Sequence, residues 1–139
     1  MVKQKGPNDC HVLRPLTGDL VDLLSPAQLL THYLSASYGY YIHHESVWET
    51  DQAYDYLCKR LLEVFDTFEH RHKHLTDKEA LAAGTGYHIA LSDYPPQVYH
   101  GWPNYVTRLN NGSMEYAIRR IHLIGEEAYL AELETNSSK

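Results

Sequence analysis

Two helical stretches separated by a short polar turn constrain this chain more than any other feature of it. From Asp51 onward, Tyr54, Leu57, Cys58, Leu61, Phe65 and Phe68 recur in steps of three and four residues, the spacing of one buried helix face. Thr50 is placed to cap that helix, and Asp51 lies in its first turn, where the helix dipole favours a carboxylate. The preceding helix opens at Ser25-Pro26, a capping serine followed by proline at the first helical position. It runs to about Tyr41 or Ile42, with Leu29, Leu30, Tyr33, Leu34, Tyr38 and Tyr41 at helical spacing. Gly39, near its end, would let another backbone or a ligand approach closely. The pair predicts a mainly α fold, a small helical bundle built on this helix–turn–helix unit.

Around the pair the signals are shorter. Residues 1–24 read as an N-terminal extension: Met1 to Asn8 is polar and broken by Gly6-Pro7, and Val12, Leu13, Leu16, Leu20, Val21, Leu23 and Leu24 are apolar enough to pack onto the body. Thr76-Asp77-Lys78-Glu79 has the form of a capping box for a short helix to about Ala83, stopped by Gly84-Thr85-Gly86 acting as a C-cap. Tyr87–Trp102 is an irregular Pro/Gly-rich segment. In and just beyond it the sequence suggests a short strand at Tyr87–Leu91 and short helices near Pro96–His100 and Pro103–Leu109. Asn110-Asn111-Gly112 predicts a turn. Ser113 then caps a last helix with Met114, Ala117, Ile118, Ile121, Ile124, Ala128 and Leu133 as its stripe, fraying from Thr135. The 139 residues make one domain: the extension, the helical pair at 26–75, and the short helices, irregular segment and C-terminal helix of 76–139.

Composition narrows the function classes. A net charge of −6 argues against direct nucleic-acid binding, which needs clustered Lys and Arg to neutralise phosphates. Twelve tyrosines against two phenylalanines supply rings with polar tips, suited to an interface or a ring-lined pocket as well as to a small core that reaches water. Two cysteines, Cys10 and Cys58, do not make a secreted disulfide scaffold, and Cys58 on the apolar stripe reads as a buried thiol. No apolar run has the length of a membrane span and no signal-peptide pattern opens the sequence, so a cytoplasmic location is expected. His70, His72 and His74 alternate with Arg71 and Lys73, cations that would repel a metal. With no His-Glu-x-x-His or paired-cysteine pattern, no metal is expected there.

The run from Tyr40 to Asp66 resembles the small N-terminal helical domain, called Ia, of NAD-dependent DNA ligases. In that family a helix ends in Tyr-His or Tyr-Tyr and an aliphatic residue, a short turn follows, and Asp-Ala-Glu-Tyr-Asp opens a leucine-rich helix. Here the corresponding residues are Tyr40-Tyr41-Ile42, then Asp51-Gln52-Ala53-Tyr54-Asp55 with Leu57, Leu61 and Leu62. The turn lacks the family's usual Asp-x-Pro, and either Tyr40 or Tyr41 takes the aromatic position. The resemblance covers residues 26 to about 75, and some short phage proteins look like free-standing copies of this domain. It implies that Tyr40, Tyr41, Asp51, Tyr54 and Asp55, with His43 close by, hold NAD or nicotinamide mononucleotide as ligand.

The chemistry of those residues suits such a ligand. Tyrosine faces attract the positive nicotinamide ring by cation–π contact, worth about 0.5–2 kcal/mol. Asp51 and Asp55 would pair with that charge or accept from ribose hydroxyls, leaving the phosphate to His43, His44 or a nearby arginine. Ligase activity itself is not expected, because adenylation needs a lysine in Lys-x-Asp-Gly and no Asp-Gly pair occurs in the sequence. Three classes remain: a non-catalytic binder of a nicotinamide nucleotide; a protein-interaction module on the same scaffold that binds a host protein, as a phage inhibitor or counter-defence protein would; and an enzyme using Asp51 or Asp55 as base and a histidine as acid. The last is the weakest, since no nucleophile is placed beside a base.

Overall fold

Ser25 begins the first long helix as its chemistry requires. Its hydroxyl accepts from the Gln28 amide at 3.3 Å, and the Gln28 side chain reaches back to the Ser25 amide at 2.8 Å, closing a capping box beside Pro26. The resulting helix, α1 (Pro26–His43), is the centre of the computed structural model, which describes residues 13–137, with side chains described through Thr135. Leu29, Leu30, His32, Tyr33, Leu34, Ala36, Ser37, Tyr38 and Gly39 are all buried, so α1 is covered on more than one face. A helix of that kind belongs in the middle of a bundle.

Against α1 lies α2 (Asp51–Val64), started by the Thr50 hydroxyl accepting from the Ala53 amide at 3.0 Å. Its face of Ala53, Tyr54, Leu57, Cys58 and Leu61 is buried. Phe65 and Phe68, the expected end of that stripe, are only partly buried and lie under the ammonium of Lys73, at 4.6 and 5.3 Å from their centroids. The fold continues through α3 (Lys78–Ala83), α4 (Pro96–Tyr99), α5 (Trp102–Asn110), α6 (Ser113–Ile124) and α7 (Glu126–Ser137). The protein is a small, mainly α bundle. Among the described residues no strand forms, and the one β-like contact is an isolated bridge between Leu16 and Trp48.

That bridge ties the N-terminal extension into the body. The Leu16 amide donates to the Val47 carbonyl at 2.7 Å, and the Glu49 amide donates to the Leu16 carbonyl at 2.9 Å. A 3-10 turn at Gly18–Leu23 then packs Leu20 and Val21, both fully buried, against α2 and α6. The expected packing of residues 13–24 therefore occurs, whereas Met1–Val12, including Cys10, lies outside the described residues. Cys58 is buried, and desolvation pushes its thiol up to about 12.

Four local expectations need correction. Tyr87–Leu91 is a turn leading into a 3-10 turn at Leu91–Asp93, because no neighbouring strand offers it a ladder. Asp77, not Thr76, caps α3 through the Ala80 amide at 2.8 Å, while Thr76 is buried with its hydroxyl on Tyr33. Gly112 precedes α6 as its cap, so Ser113 is the first helical residue. The single C-terminal helix is two: Gly125, with φ 93° and ψ 155°, breaks the backbone between α6 and α7, and α7 continues to Ser137 instead of fraying from Thr135.

Candidate functional site

Capping by Thr50 fixes where the first turn of α2 points. Asp51 faces solvent, and Tyr54, three residues on, faces inward. Tyr54 is 3 % exposed, its ring stacks on Tyr33 with centroids 6.2 Å apart, and its hydroxyl pairs with that of Ser37 at 2.9 Å. Desolvation raises the Tyr54 phenol far above the ordinary tyrosine range, so it stays neutral.

Beside these residues the Gly84-Thr85-Gly86 turn packs on the helical pair. Gly84 ends α3 in the left-handed region, at φ 71°. Tyr33 Oη donates to the Thr85 carbonyl at 2.7 Å and pairs with Thr76 Oγ1 at 3.0 Å; Tyr41 Oη pairs with Thr85 Oγ1 at 3.0 Å. Gly86 is buried against α1, where a Cβ would sit 2.8 Å from Ser37 Cβ and 3.3 Å from Tyr33 Oη. A Cβ on Gly84 would collide with Asp55 Oδ1. Gly86 is therefore required by close approach to α1 and Gly84 by its left-handed backbone, and the turn contacts both α1 and α2.

The predicted site residues divide accordingly. Asp55 is exposed at the rim, bonded at 3.2 Å to Lys59, which also donates to the Ala82 carbonyl at 2.8 Å. Tyr40 and Tyr41 are half-buried with perpendicular rings 4.9 Å apart, and Tyr41 meets the edge of Tyr87, itself 80 % exposed, at 5.7 Å. Tyr41 and Asp55 are thus brought to the same turn from two different helices. His43 belongs elsewhere: it stacks on Trp102 at 5.2 Å with a 7° interplanar angle and meets Tyr38 at 5.0 Å. Burial lowers its pKa, with Glu45 acting in the opposite sense.

Behind His43 is an aromatic cluster that sequence reading did not single out. Trp102 stacks with His43 and with Tyr105, whose ring is 5.9 Å away, and Tyr38 meets it edge-on at 5.7 Å. A Cβ on Gly39 would collide with the Trp102 ring, so the close approach expected at that glycine is made by an indole of α5. His32 Nδ1 pairs with Tyr105 Oη at 2.7 Å, and desolvation takes the buried imidazole down to about 4. The tyrosine excess signalled such a cluster without saying which rings would meet.

Three grooves on the described surface involve α6, α7 and their surroundings. One of about 510 Å³ is lined by Tyr116, Ala131 and Glu132, one of about 400 Å³ by Ser25, Ile121 and Gly125, and one of about 470 Å³ by Ala117, Leu130 and Leu133. None of the three includes Tyr40, Tyr41, His43, Asp51, Tyr54 or Asp55. Among the described residues no group of three His, Cys, Asp or Glu side chains is arranged to hold a metal, and no helix is long and apolar enough to cross a membrane. Comparison with known proteins finds no matching family model, curated protein or solved structure.

Proposed function

We propose that this chain is a non-catalytic protein-interaction module that keeps a ligase-like helical pair as scaffold and acts through its surface. One observation carries the reading: at the end of the helical pair where a nicotinamide ring would be expected, the chain's own Gly84-Thr85-Gly86 turn packs on Tyr33, Ser37 and Tyr41 of α1 and on Asp55 of α2, and the Tyr54 hydroxyl is already paired to Ser37. Displacing the turn would break hydrogen bonds worth about 1 kcal/mol each, before any ligand contact is made. The acidic, tyrosine-bearing exterior suits contact with a host protein, in the host cytoplasm if the chain is phage-encoded, as an inhibitor or counter-defence protein would act. Capture from a bacterial lysate tests this: one defined host protein is expected in stoichiometric amount, and retention of none contradicts the reading.

A second reading is favoured by the rim. Tyr40, Tyr41 and Tyr87 meet in successive edge-on ring contacts, Tyr41 and Asp55 reach the same Gly84–Gly86 turn, and a positive nicotinamide ring could lie on an exposed tyrosine face there. Two or three such contacts give millimolar to micromolar affinity for NAD or nicotinamide mononucleotide. Calorimetry of wild type against Asp55→Ala separates the two readings: saturable heat lost in the variant favours the nucleotide, and its absence in wild type the interaction module.

A further inference from the structure

Helix α7 is acidic throughout. Glu126, Glu127, Glu132 and Glu134 fall within it, and no Lys or Arg follows Arg120 until Lys139. Its main packing partner is α6, to which it is held by buried Tyr129 and by the Arg120–Glu132 ion pair, with Nε–Oε2 at 3.1 Å. The apolar residues of the helix outnumber what this one contact covers. Leu130 is 54 % and Leu133 44 % exposed, and both line the groove of about 470 Å³ between α7 and Ala117 and Ile121 of α6.

The groove is lined by one carboxylate, Glu126, and by the guanidinium of Arg108 from α5. Helical geometry adds Glu127 and Glu134, three residues before and four after Leu130, beside the same exposed leucine, so carboxylates outnumber the cation around the strip. With three carboxylates to the one guanidinium of Arg108, two copies of this face would meet with like charge in excess, which disfavours self-association. A cationic amphipathic helix is complementary in both respects, placing leucine-type side chains in the groove and Lys or Arg over the glutamates.

Resting on the interaction-module reading, we infer that the α6–α7 groove docks a basic amphipathic helix of a partner protein. The test is an anisotropy titration of the full chain with a fluorescein-labelled leucine–lysine amphipathic helix. A scrambled peptide of equal charge and a leucine–glutamate counterpart serve as controls. Saturable binding of the first peptide alone is expected. Leu130→Ser and the pair Glu126→Lys, Glu127→Lys should each weaken it by about tenfold or more, while Leu91→Ser, another exposed leucine outside this face, leaves it unchanged. Far-UV circular dichroism confirms that each variant is folded. Equal binding of the scrambled peptide, or no effect of the α7 substitutions, overturns the inference. So does a dimer in sedimentation that Leu130→Ser dissociates, which would assign the groove to a second copy. If the lysate partner is retained by Leu130→Ser, the interaction-module reading stands and this docking site falls.

Discussion

Gly86 shows how one missing side chain determines what the neighbouring residues can do. Its Cα lies against Ser37 and Tyr33, and this brings the Gly84–Gly86 turn onto α1. Gly86→Ala should lower stability by about 1–3 kcal/mol through overpacking, read as a shift of the urea midpoint. Tyr54→Phe removes the hydroxyl that pairs with Ser37 and should cost about 1 kcal/mol in the same assay, because Ser37 is left buried without that partner. His32 gives a pH signature. Its folded pKa, about 4, lies below the 6.5 of the free side chain, so between those values the unfolded chain binds the extra proton. Its contribution is complete above pH 6.5 and is lost as pH falls towards 4, at up to about 1.4 kcal/mol per pH unit. A His32→Phe variant that folds should show a flatter stability profile across that window, measured by denaturant titration at several pH values.

The helices themselves were legible where a cap and a period agreed. Ser25 and Thr50 set the starts of α1 and α2 to the residue, because capping is a local property, whereas the α2 stripe read on to Phe68 runs past the end of the helix at Val64. The break at Gly125 was not legible, since Ile121, Ile124, Ala128 and Leu133 keep a helical period straight through it. Whether a glycine continues a helix or ends it depends on tertiary packing. No atom lies within 4 Å of a Cβ built at Gly125, so Gly125→Ala acts through backbone conformation alone. It should destabilise the α6–α7 corner by about 1 kcal/mol or more, visible as faster amide exchange in α7. The surroundings of the candidate site were legible in part for a related reason. The sequence brings Tyr41, Asp51, Tyr54 and Asp55 to one end of the helical pair, but does not reveal the later Gly84–Gly86 turn that packs on Tyr41 and Asp55.

At the scale of the molecule, the α1–α2 pair is not a separable unit. Leu16, Leu20 and Val21 from the extension are buried with Leu57, Leu61 and Ile118 in one core. Leu20→Ala should cost about 2–5 kcal/mol, and a fragment of residues 26–75 should lack a cooperative thermal transition. The same interdependence holds the Gly84–Gly86 turn, whose position depends on α1, α2 and α3 together, so function is expected on the outside of the bundle. The direct measurement is an NMR titration of tyrosine-labelled protein with nicotinamide mononucleotide to millimolar concentration. The Tyr54 ring signals should stay in place and the Gly86 amide should remain protected; a saturable shift of Tyr54 with loss of that protection, abolished by Asp55→Ala, would contradict the account.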